Sequence, residues 1–205
     1  MNASLLEGGT VREQQQELNA ILFPMVQFHG EVADASKASR LEVIATRLAS
    51  AIKAIYMYER NEYEADKDDR LTHLTWNVGV EKDAAVVTRL RKVTGHKCAA
   101  LFDMGRLLAG LCYVTRPNRL TIFQTSESTP LRLHMDSDQI GMPDPAFRRT
   151  IVHLSGARRE LSFKVGGIEV ETYLKQGEAY TLHPDSILHG ARYHNSATAL
   201  YVQSR

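Results

Sequence analysis

Three side chains of types that bind metals are spread over the second half of the chain. His134 and Asp136 lie two residues apart in the stretch LRLHMDSDQIG, and His189 follows in the stretch ILHGARYHN. Two imidazoles and one carboxylate form the facial triad of non-haem Fe(II) sites, which leaves three coordination positions open for substrate chemistry. A structural zinc site would use four protein ligands, often cysteines, and the chain has only Cys98 and Cys112. The residue types therefore favour an open Fe(II) centre.

The spacing of these residues says how the chain would bring them together. Alternate side chains of a strand share a face, so a strand here would place His134 and Asp136 side by side. A solvated polar face is an equally good interpretation of this pair alone. The turn signal Pro184-Asp185-Ser186 before His189 allows a sheet to fold back and bring this histidine beside them. His183 is the alternative ligand, although its place directly before Pro184 is more typical of a turn.

Helices are predicted in the first half of the chain. The stretch from Val11 to about His29 is rich in Glu, Gln, Leu and Ala, and it favours a helix. Ser39 and Glu42 form a capping box for a stronger helix, whose apolar residues recur at three- and four-residue spacing. A shorter helix is expected over residues 81–95, where Gly95 would end it.

From Leu120 onward the apolar period changes to two. Short segments rich in β-branched and aromatic residues alternate there with Pro, Gly, Asp and Asn. Gly166-Gly167, between FKV and IEV, predicts a hairpin with a two-residue primed turn. A succession of short strands without a helix-sized gap indicates a β-sandwich or barrel. The predicted fold class is therefore α+β, with a helical region at 1–118 packed on an antiparallel, jelly-roll or cupin-like barrel at 119–205.

Composition and charge exclude several classes of protein. The chain has 25 Lys and Arg against 24 Asp and Glu, and this balance argues against nucleic acid or an anionic membrane as the partner. No apolar run approaches the ~20 residues that span a bilayer, so a membrane protein is not expected. The N-terminal stretch lacks the basic start and apolar run of a secretory signal. With two cysteines and no disulfide framework, the expected location is the cytoplasm.

The strand-rich half resembles the Fe(II)- and 2-oxoglutarate-dependent oxygenases. The resemblance rests on His134-Met135-Asp136 and His189-Gly190, with RRTIVHLSG similar to the strand after the metal motif in prolyl-hydroxylase-like members. It covers about residues 120–205 and implies a double-stranded β-helix that holds Fe(II) through His134, Asp136 and His189. It also implies 2-oxoglutarate and O₂ as co-substrates. Oxidative decarboxylation of 2-oxoglutarate to succinate and CO₂ would use one oxygen atom of O₂, and the other would hydroxylate a small molecule or an amino-acid residue in a peptide.

The chain departs from this family in the residue that holds the far carboxylate of 2-oxoglutarate. Family members often place an Arg or Lys on the last strand, where this chain has Thr198-Ala199-Leu200. A planar guanidinium suits a carboxylate, so Arg205 at the end of that strand is the preferred substitute and Arg149 the second. Arg192 is third, because its odd spacing from His189 turns it to the opposite face of the strand.

Two further classes of function stay open on the sequence alone. A cupin-type metalloprotein, such as a dioxygenase or isomerase without 2-oxoglutarate, shares the barrel. Cupins favour His-x-His with a following Glu, however, and the stretch HMDSDQIG lacks both. A metal-free binding module that keeps the barrel is the third class. An assay for succinate on the iron-loaded protein would separate the three.

Overall fold

A computed structural model describes residues 11–59, 71–77, 98–111, 119–125, 129–135, 148–193 and 196–204. The described helices are α1 (Val11–Leu22), α2 (Ala35–Glu59) and α3 (Cys98–Leu111), and none is long and apolar enough to cross a membrane. The described strands are β1 (Val26–Glu31), β2 (Leu71–Asn77), β3 (Arg119–Thr125), β4 (Thr129–His134), β5 (Arg148–Ser155), β6 (Arg159–Val165), β7 (Ile168–Leu174), β8 (Glu178–Leu182), β9 (Leu188–Tyr193) and β10 (Ala197–Ser204). The helix predicted over 81–95 lies outside the described residues.

The strands form two antiparallel sheets. Sheet A has the order β1-β8-β5-β10-β3-β2, and sheet B has the order β4-β9-β6-β7. One buried core contains side chains from the inner faces of both sheets, such as Ile151 of sheet A and Phe163 of sheet B, so the sheets pack face to face. The predicted α+β class and the antiparallel double-sheet barrel are confirmed. The division at residue 118 stays a prediction.

Two apolar cores lie on opposite faces of sheet A, because successive side chains of a strand point to opposite faces. On β10, Ala199 and Tyr201 face the interior of the barrel. Leu200 and Val202 belong instead to the core that sheet A forms with α2 and α3. Helix α1 packs beside β1 and adds Leu18 to the inner core.

The first region is less helical than the sequence indicated. The helix predicted to reach His29 ends at Leu22, and the following residues form β1, which pairs with β8. Pro24 explains this end, because it lacks an N–H and disfavours the helical conformation of the residue before it. Val26 and Phe28 then alternate into the inner core. Strand β2 also comes from the first region and pairs with β3.

Helix α2 begins earlier than the predicted capping box. Asp34 is the residue that caps it, since Oδ1 of Asp34 accepts a hydrogen bond from the backbone N–H of Lys37 at 2.7 Å. Ser39 lies inside the helix, and its Oγ accepts a hydrogen bond from Nε2 of Gln176 at 3.2 Å. The predicted start at Ser39 is therefore wrong, because another residue with a capping side chain stands just ahead of it.

Glycines make two of the turns possible. Gly166 and Gly167 have φ angles of 57° and 85° in the β6–β7 connection, which confirms the predicted primed hairpin. Gly177 has φ 85°, and a Cβ atom there would collide with the backbone carbonyl of Ala33. The carbonyl of Gly177 accepts a hydrogen bond from the N–H of Ala33 at 3.2 Å. This contact ties the segment before α2 to the start of β8.

Candidate metal centre

His134 and His189 meet where β4 pairs with β9. They are direct register partners, and their ring centroids lie 4.6 Å apart with the rings tilted by 44°. His189 is buried, with 8% of its surface exposed. Two imidazole nitrogens that bind one metal ion lie about 3 Å from each other, which this ring separation allows. The structure therefore brings together two of the three predicted ligands.

The backbone fixes which nitrogen of His189 can bind a metal. Nδ1 of His189 lies 3.0 Å from the carbonyl oxygen of Ile187. A carbonyl oxygen only accepts, so Nδ1 donates, and Nε2 carries the lone pair of the neutral imidazole. Metal-binding histidines commonly hold their other nitrogen in this way. The donor chemistry of His189 therefore fits a metal ligand.

A register shift in β4 interrupts the alternation that the sequence predicted for LRLHMD. Leu131 pairs with Ala191 and His134 pairs with His189, so three steps along β4 (134 − 131) match two along β9 (191 − 189). Such a shift is typical of a β-bulge, which inserts an extra residue and changes the direction of the strand. Strict alternation from Leu131 is therefore wrong, and the shift is what sets His134 opposite His189.

Asp136 and Arg205 lie outside the described residues, and their roles stay predictions. Within the described part of the chain, no three residues of the types His, Cys, Asp and Glu form a metal-binding group. His183 lies in the turn after β8, where its backbone N–H donates to the carbonyl of Met25 at 2.9 Å. His189, not His183, is thus the register partner of His134.

Arg192, the third candidate anchor, lies on the outer surface of sheet B. Its side chain is 60% exposed, and its Nη1 lies 4.0 Å from a carboxylate oxygen of Glu160. Its neighbour Ala191 is buried in the inner core. The prediction that Arg192 faces away from the His189 side of the strand is confirmed.

Arg159, at the start of β6, is a cation that the sequence analysis missed. It is 2% exposed, and it is the only Asp, Glu, Lys or Arg among the buried residues of the described ranges. Its Nη2 donates to the hydroxyl of Tyr201 at 2.7 Å. Its guanidinium carbon lies 5.2 Å from the ring centroid of Tyr201 and 6.0 Å from that of Tyr180. The one sequence signal for this burial is its period of two with Leu161 and Phe163.

A layer of aromatic side chains connects Arg159 with the histidine pair. Tyr180 and Tyr201 are the register partners of Ile151 on either side of β5. Phe163, the register partner of His189, meets Tyr180 edge-on with ring centroids 6.1 Å apart. The guanidinium of Arg159 thus contacts the same layer that adjoins the candidate metal ligands.

Arg149, the second predicted anchor, also lies near a ring of this layer. It is half-buried on β5, where its register partner on β8 is Leu182. Its guanidinium carbon lies 5.8 Å from the ring centroid of Tyr201. The interior of the barrel therefore receives two arginine side chains, of which Arg159 is the more buried.

A cavity of about 360 Å³ lies apart from the histidine pair, on the outer face of sheet B. Arg158, Glu160 and Tyr173 contribute to its lining. Arg158 and Glu160 form an ion pair of 3.0 Å, and the guanidinium carbon of Arg158 lies 5.5 Å from the ring centroid of Tyr173. These partly exposed charges belong to the solvated face of the sheet.

Comparisons with solved structures agree with this architecture. An oxidoreductase of the 2OG-Fe(II) oxygenase family from Burkholderia pseudomallei has a TM-score of 0.51 and 15% identity, over 97% of this chain and 91% of that one. A Pseudomonas putida prolyl-4-hydroxylase has a TM-score of 0.53 and 12% identity, over 94% and 99%. AviO1 from Streptomyces viridochromogenes Tue57 has a TM-score of 0.52 and 13% identity, over 96% of each chain. No family model and no curated protein matches the sequence.

The chain therefore has the double-stranded β-helix fold of the Fe(II)- and 2-oxoglutarate-dependent oxygenases. The likeness extends over nearly the whole length of the chain, helices included. The resemblance stated from the sequence alone, which covered only the strand-rich half, is confirmed for the fold.

Proposed function

We propose that the protein is an Fe(II)- and 2-oxoglutarate-dependent oxygenase that hydroxylates a small molecule or an amino-acid residue in a peptide. The observation that carries this proposal is the pairing of His134 with His189 inside this fold, with Nδ1 of His189 held by the backbone. Asp136, two residues after His134, is the proposed third ligand. Two histidines and one carboxylate would hold Fe(II) on one face and leave three positions for reactants.

The proposed chemistry divides between the bound iron and the chain. Iron, when bound, would supply the activation of O₂ and the oxidative decarboxylation of 2-oxoglutarate to succinate and CO₂. The chain orients the ligands: the carbonyl of Ile187 keeps His189 in the tautomer that presents Nε2. The ring of Phe163, the register partner of His189, packs edge-on against the ring of Tyr180 and would give the iron site an apolar neighbour.

We assign the far carboxylate of 2-oxoglutarate to Arg159 instead of Arg205 or Arg149. A carboxylate that enters the barrel interior needs a counter-charge, because an unpaired buried carboxylate is costly. Arg159 is the buried cation of the described chain, and its guanidinium lies against the aromatic layer beside the histidine pair. The hydroxyl of Tyr201 orients this guanidinium. A planar guanidinium then offers two parallel N–H donors to the carboxylate.

The expected partners follow from this function. They are O₂ and a small-molecule or peptide substrate, and the proposed location is the cytoplasm. The formal net charge of +1 argues against nucleic acid as the substrate.

The first test is 2-oxoglutarate binding to the Fe(II) protein without O₂. A chelated oxoacid should give a weak visible charge-transfer band, and admission of O₂ should then give succinate. Iron binding without the band at saturating 2-oxoglutarate would favour the cupin-type alternative.

The second test concerns Arg159. Arg159→Gln should weaken 2-oxoglutarate binding by about 2–4 kcal/mol, since one partner of a buried charge-assisted pair is removed. Fe(II) affinity should stay close to that of the parent protein. Arg192→Gln is the matched control, because it removes an exposed arginine from the outer face of the same barrel. Parent-like 2-oxoglutarate affinity in a folded Arg159→Gln protein would contradict the assignment.

A further inference from the structure

The two interior arginines approach Tyr201 from different ends of the barrel. Arg159 begins β6, whereas Phe163, the partner of His189, lies near the end of that strand. Arg149 lies near the start of β5, and its partner Leu182 is the last residue of β8. The two strand positions thus place Arg149 at the end of the barrel that carries the histidines and Arg159 at the other end.

The connections of the chain support this placement of Arg149. Along the chain, only residues 183–187 separate Leu182, the last residue of β8, from the start of β9. His189 is the second residue of β9. His134 is the last residue of β4. Arg149 is also less buried than Arg159, which agrees with a position nearer to solvent.

Two arginines begin strand β5 at this end of the barrel. They are Arg148 and Arg149, whose register partners on β10 are Ser204 and Gln203. Burial and, to a smaller extent, the positive charge of Arg148 lower the pKa of His183 to about 4, so the charge of Arg148 reaches the β8–β9 turn. Asp185 is a carboxylate in the same turn. An anion that approaches this end can therefore be attracted by the charges of Arg148 and Arg149.

We propose that Arg149 binds a carboxylate group of the primary substrate, so that the substrate is a small organic acid with a free carboxylate. The inference rests on the proposed function, in which Arg159 holds the far carboxylate of 2-oxoglutarate. A substrate must place a C–H bond beside the histidine pair, and Arg149 is the interior cation at that end. The planar guanidinium of Arg149 can donate two parallel hydrogen bonds to a carboxylate and pair with its negative charge. A neutral amide cannot form this charged pair.

The experiment compares free acids with their amides. Matched pairs of N-acetyl amino acids and N-acetyl amino-acid amides are titrated into the anaerobic Fe(II)–2-oxoglutarate protein by calorimetry. The same pairs are then tested for stimulation of succinate formation. At least one acid should bind about tenfold or more tightly than its amide, which is the scale of one charge-assisted contact.

Variants assign this preference to a residue. Arg149→Gln should remove the preference for the acid, while 2-oxoglutarate affinity stays within about twofold of the parent value. Arg149→Lys keeps the positive charge and should retain part of the preference for the acid. This variant replaces Arg149→Gln in the test if the Gln variant does not fold. Arg192→Gln, the exposed control on sheet B, should keep the full preference.

Several results would overturn the proposal, and they separate it from the proposed function. Equal binding of acid and amide in every pair contradicts it, as does a preference that survives in folded Arg149→Gln. Loss of 2-oxoglutarate binding in Arg149→Gln but not in Arg159→Gln would exchange the two roles and leave the oxygenase assignment standing. Absence of the 2-oxoglutarate band in the iron-loaded parent protein would reject both.

Discussion

The two faces of sheet A are built from different kinds of residue, although the same strands supply both. The outer face packs against α2 and α3 with aliphatic side chains such as Ile122, Val152 and Leu200. The inner face carries aromatic rings such as that of Tyr180, and it encloses the guanidinium of Arg159. Neighbouring residues of one strand therefore lie in two different environments, one aliphatic and one aromatic, because the strand alternates its side chains between its two faces.

The largest effect is expected at the histidine pair of the interior. His134→Ala and His189→Ala should each lower Fe(II) affinity by at least about 100-fold, since each removes a proposed direct metal ligand. Iron-dependent formation of succinate should be lost, while the thermal unfolding temperature changes little. His183→Ala is the matched control, because this histidine lies in the adjacent turn. Full Fe(II) affinity in the His134→Ala, His189→Ala double variant would exclude the proposed site.

A substitution on the face of sheet A that packs against α2 and α3 should instead lower stability and leave metal binding unchanged. Leu200 is fully buried against the helices, and Leu200→Ala should lower the free energy of unfolding by about 2–5 kcal/mol through lost burial and a cavity. Affinity for Fe(II) and 2-oxoglutarate should remain that of the parent protein under conditions where the variant is folded. Urea unfolding and metal titration check the two expectations. A large loss of Fe(II) affinity would mean that the two faces are not independent.

The contrast also explains which features the sequence could predict. The barrel follows from local signals, namely the period of two and the glycine pair at Gly166 and Gly167, so its strands and hairpin were predicted correctly. The histidine pair was predicted to meet because turn residues before His189 indicate a chain that folds back. Each of these signals lies within a few residues of the feature that it predicts.

The features that were missed depend on contacts distant in sequence. Strand β1 forms because its backbone pairs with β8 and because Val26 and Phe28 pack in the inner core. The local composition favours a helix and therefore did not predict this strand. The register shift before His134 cannot be recognised from the pattern of apolar residues in the sequence. Arg159 was overlooked because charged side chains are normally exposed, and its burial depends on Tyr201, which lies on another sheet.

Acid should lower the free energy of unfolding through the buried side chain of His153. His153 is fully buried on β5, and its Nε2 donates to the carbonyl of Ala157 at 2.6 Å. Burial is the main cause that lowers the pKa of His153 to about 4, against the raising effect of the bond to Ala157, and Arg159 repels the charged form further. The ordinary value is 6.5, so between these two values the unfolded chain binds the extra proton. Stability is therefore greatest above that range and falls as the pH falls through it.

The size of this effect can be measured by comparison with a variant. Between pH 7 and pH 5 the free energy of unfolding should fall by about 2 kcal/mol from His153 alone. His153→Gln should lack this share, whereas the contributions of His29 and His183, whose pKa values are also lowered to about 4, remain in both proteins. Urea unfolding of both proteins at the two pH values isolates the difference. Parallel pH dependences would show that His153 does not stay neutral in the folded protein.

The smallest effect, and the sharpest comparison with Leu200, is expected at Tyr201, the next residue of β10. The ring of Tyr201 stacks on Phe123 with centroids 5.4 Å apart and an interplanar angle of 3°, and Tyr201→Phe keeps this contact. The variant removes only the hydroxyl that accepts from Arg159 at 2.7 Å. The guanidinium also contacts the ring of Tyr180, so we expect a reorientation and not a release of Arg159.

Tyr201 should therefore act as a positioning residue for Arg159, the proposed anchor of 2-oxoglutarate. Affinity for 2-oxoglutarate in Tyr201→Phe should fall by about 1 kcal/mol, roughly fivefold, the scale of one hydrogen bond. Fe(II) affinity should not change, and the free energy of unfolding should change far less than in Leu200→Ala. The two measurements together decide the role, because a merely structural tyrosine would lower stability and leave 2-oxoglutarate affinity as it was. That second pattern would mean that Tyr201 contributes only to stability, as Leu200 does, although the side chain of Tyr201 lies within the barrel.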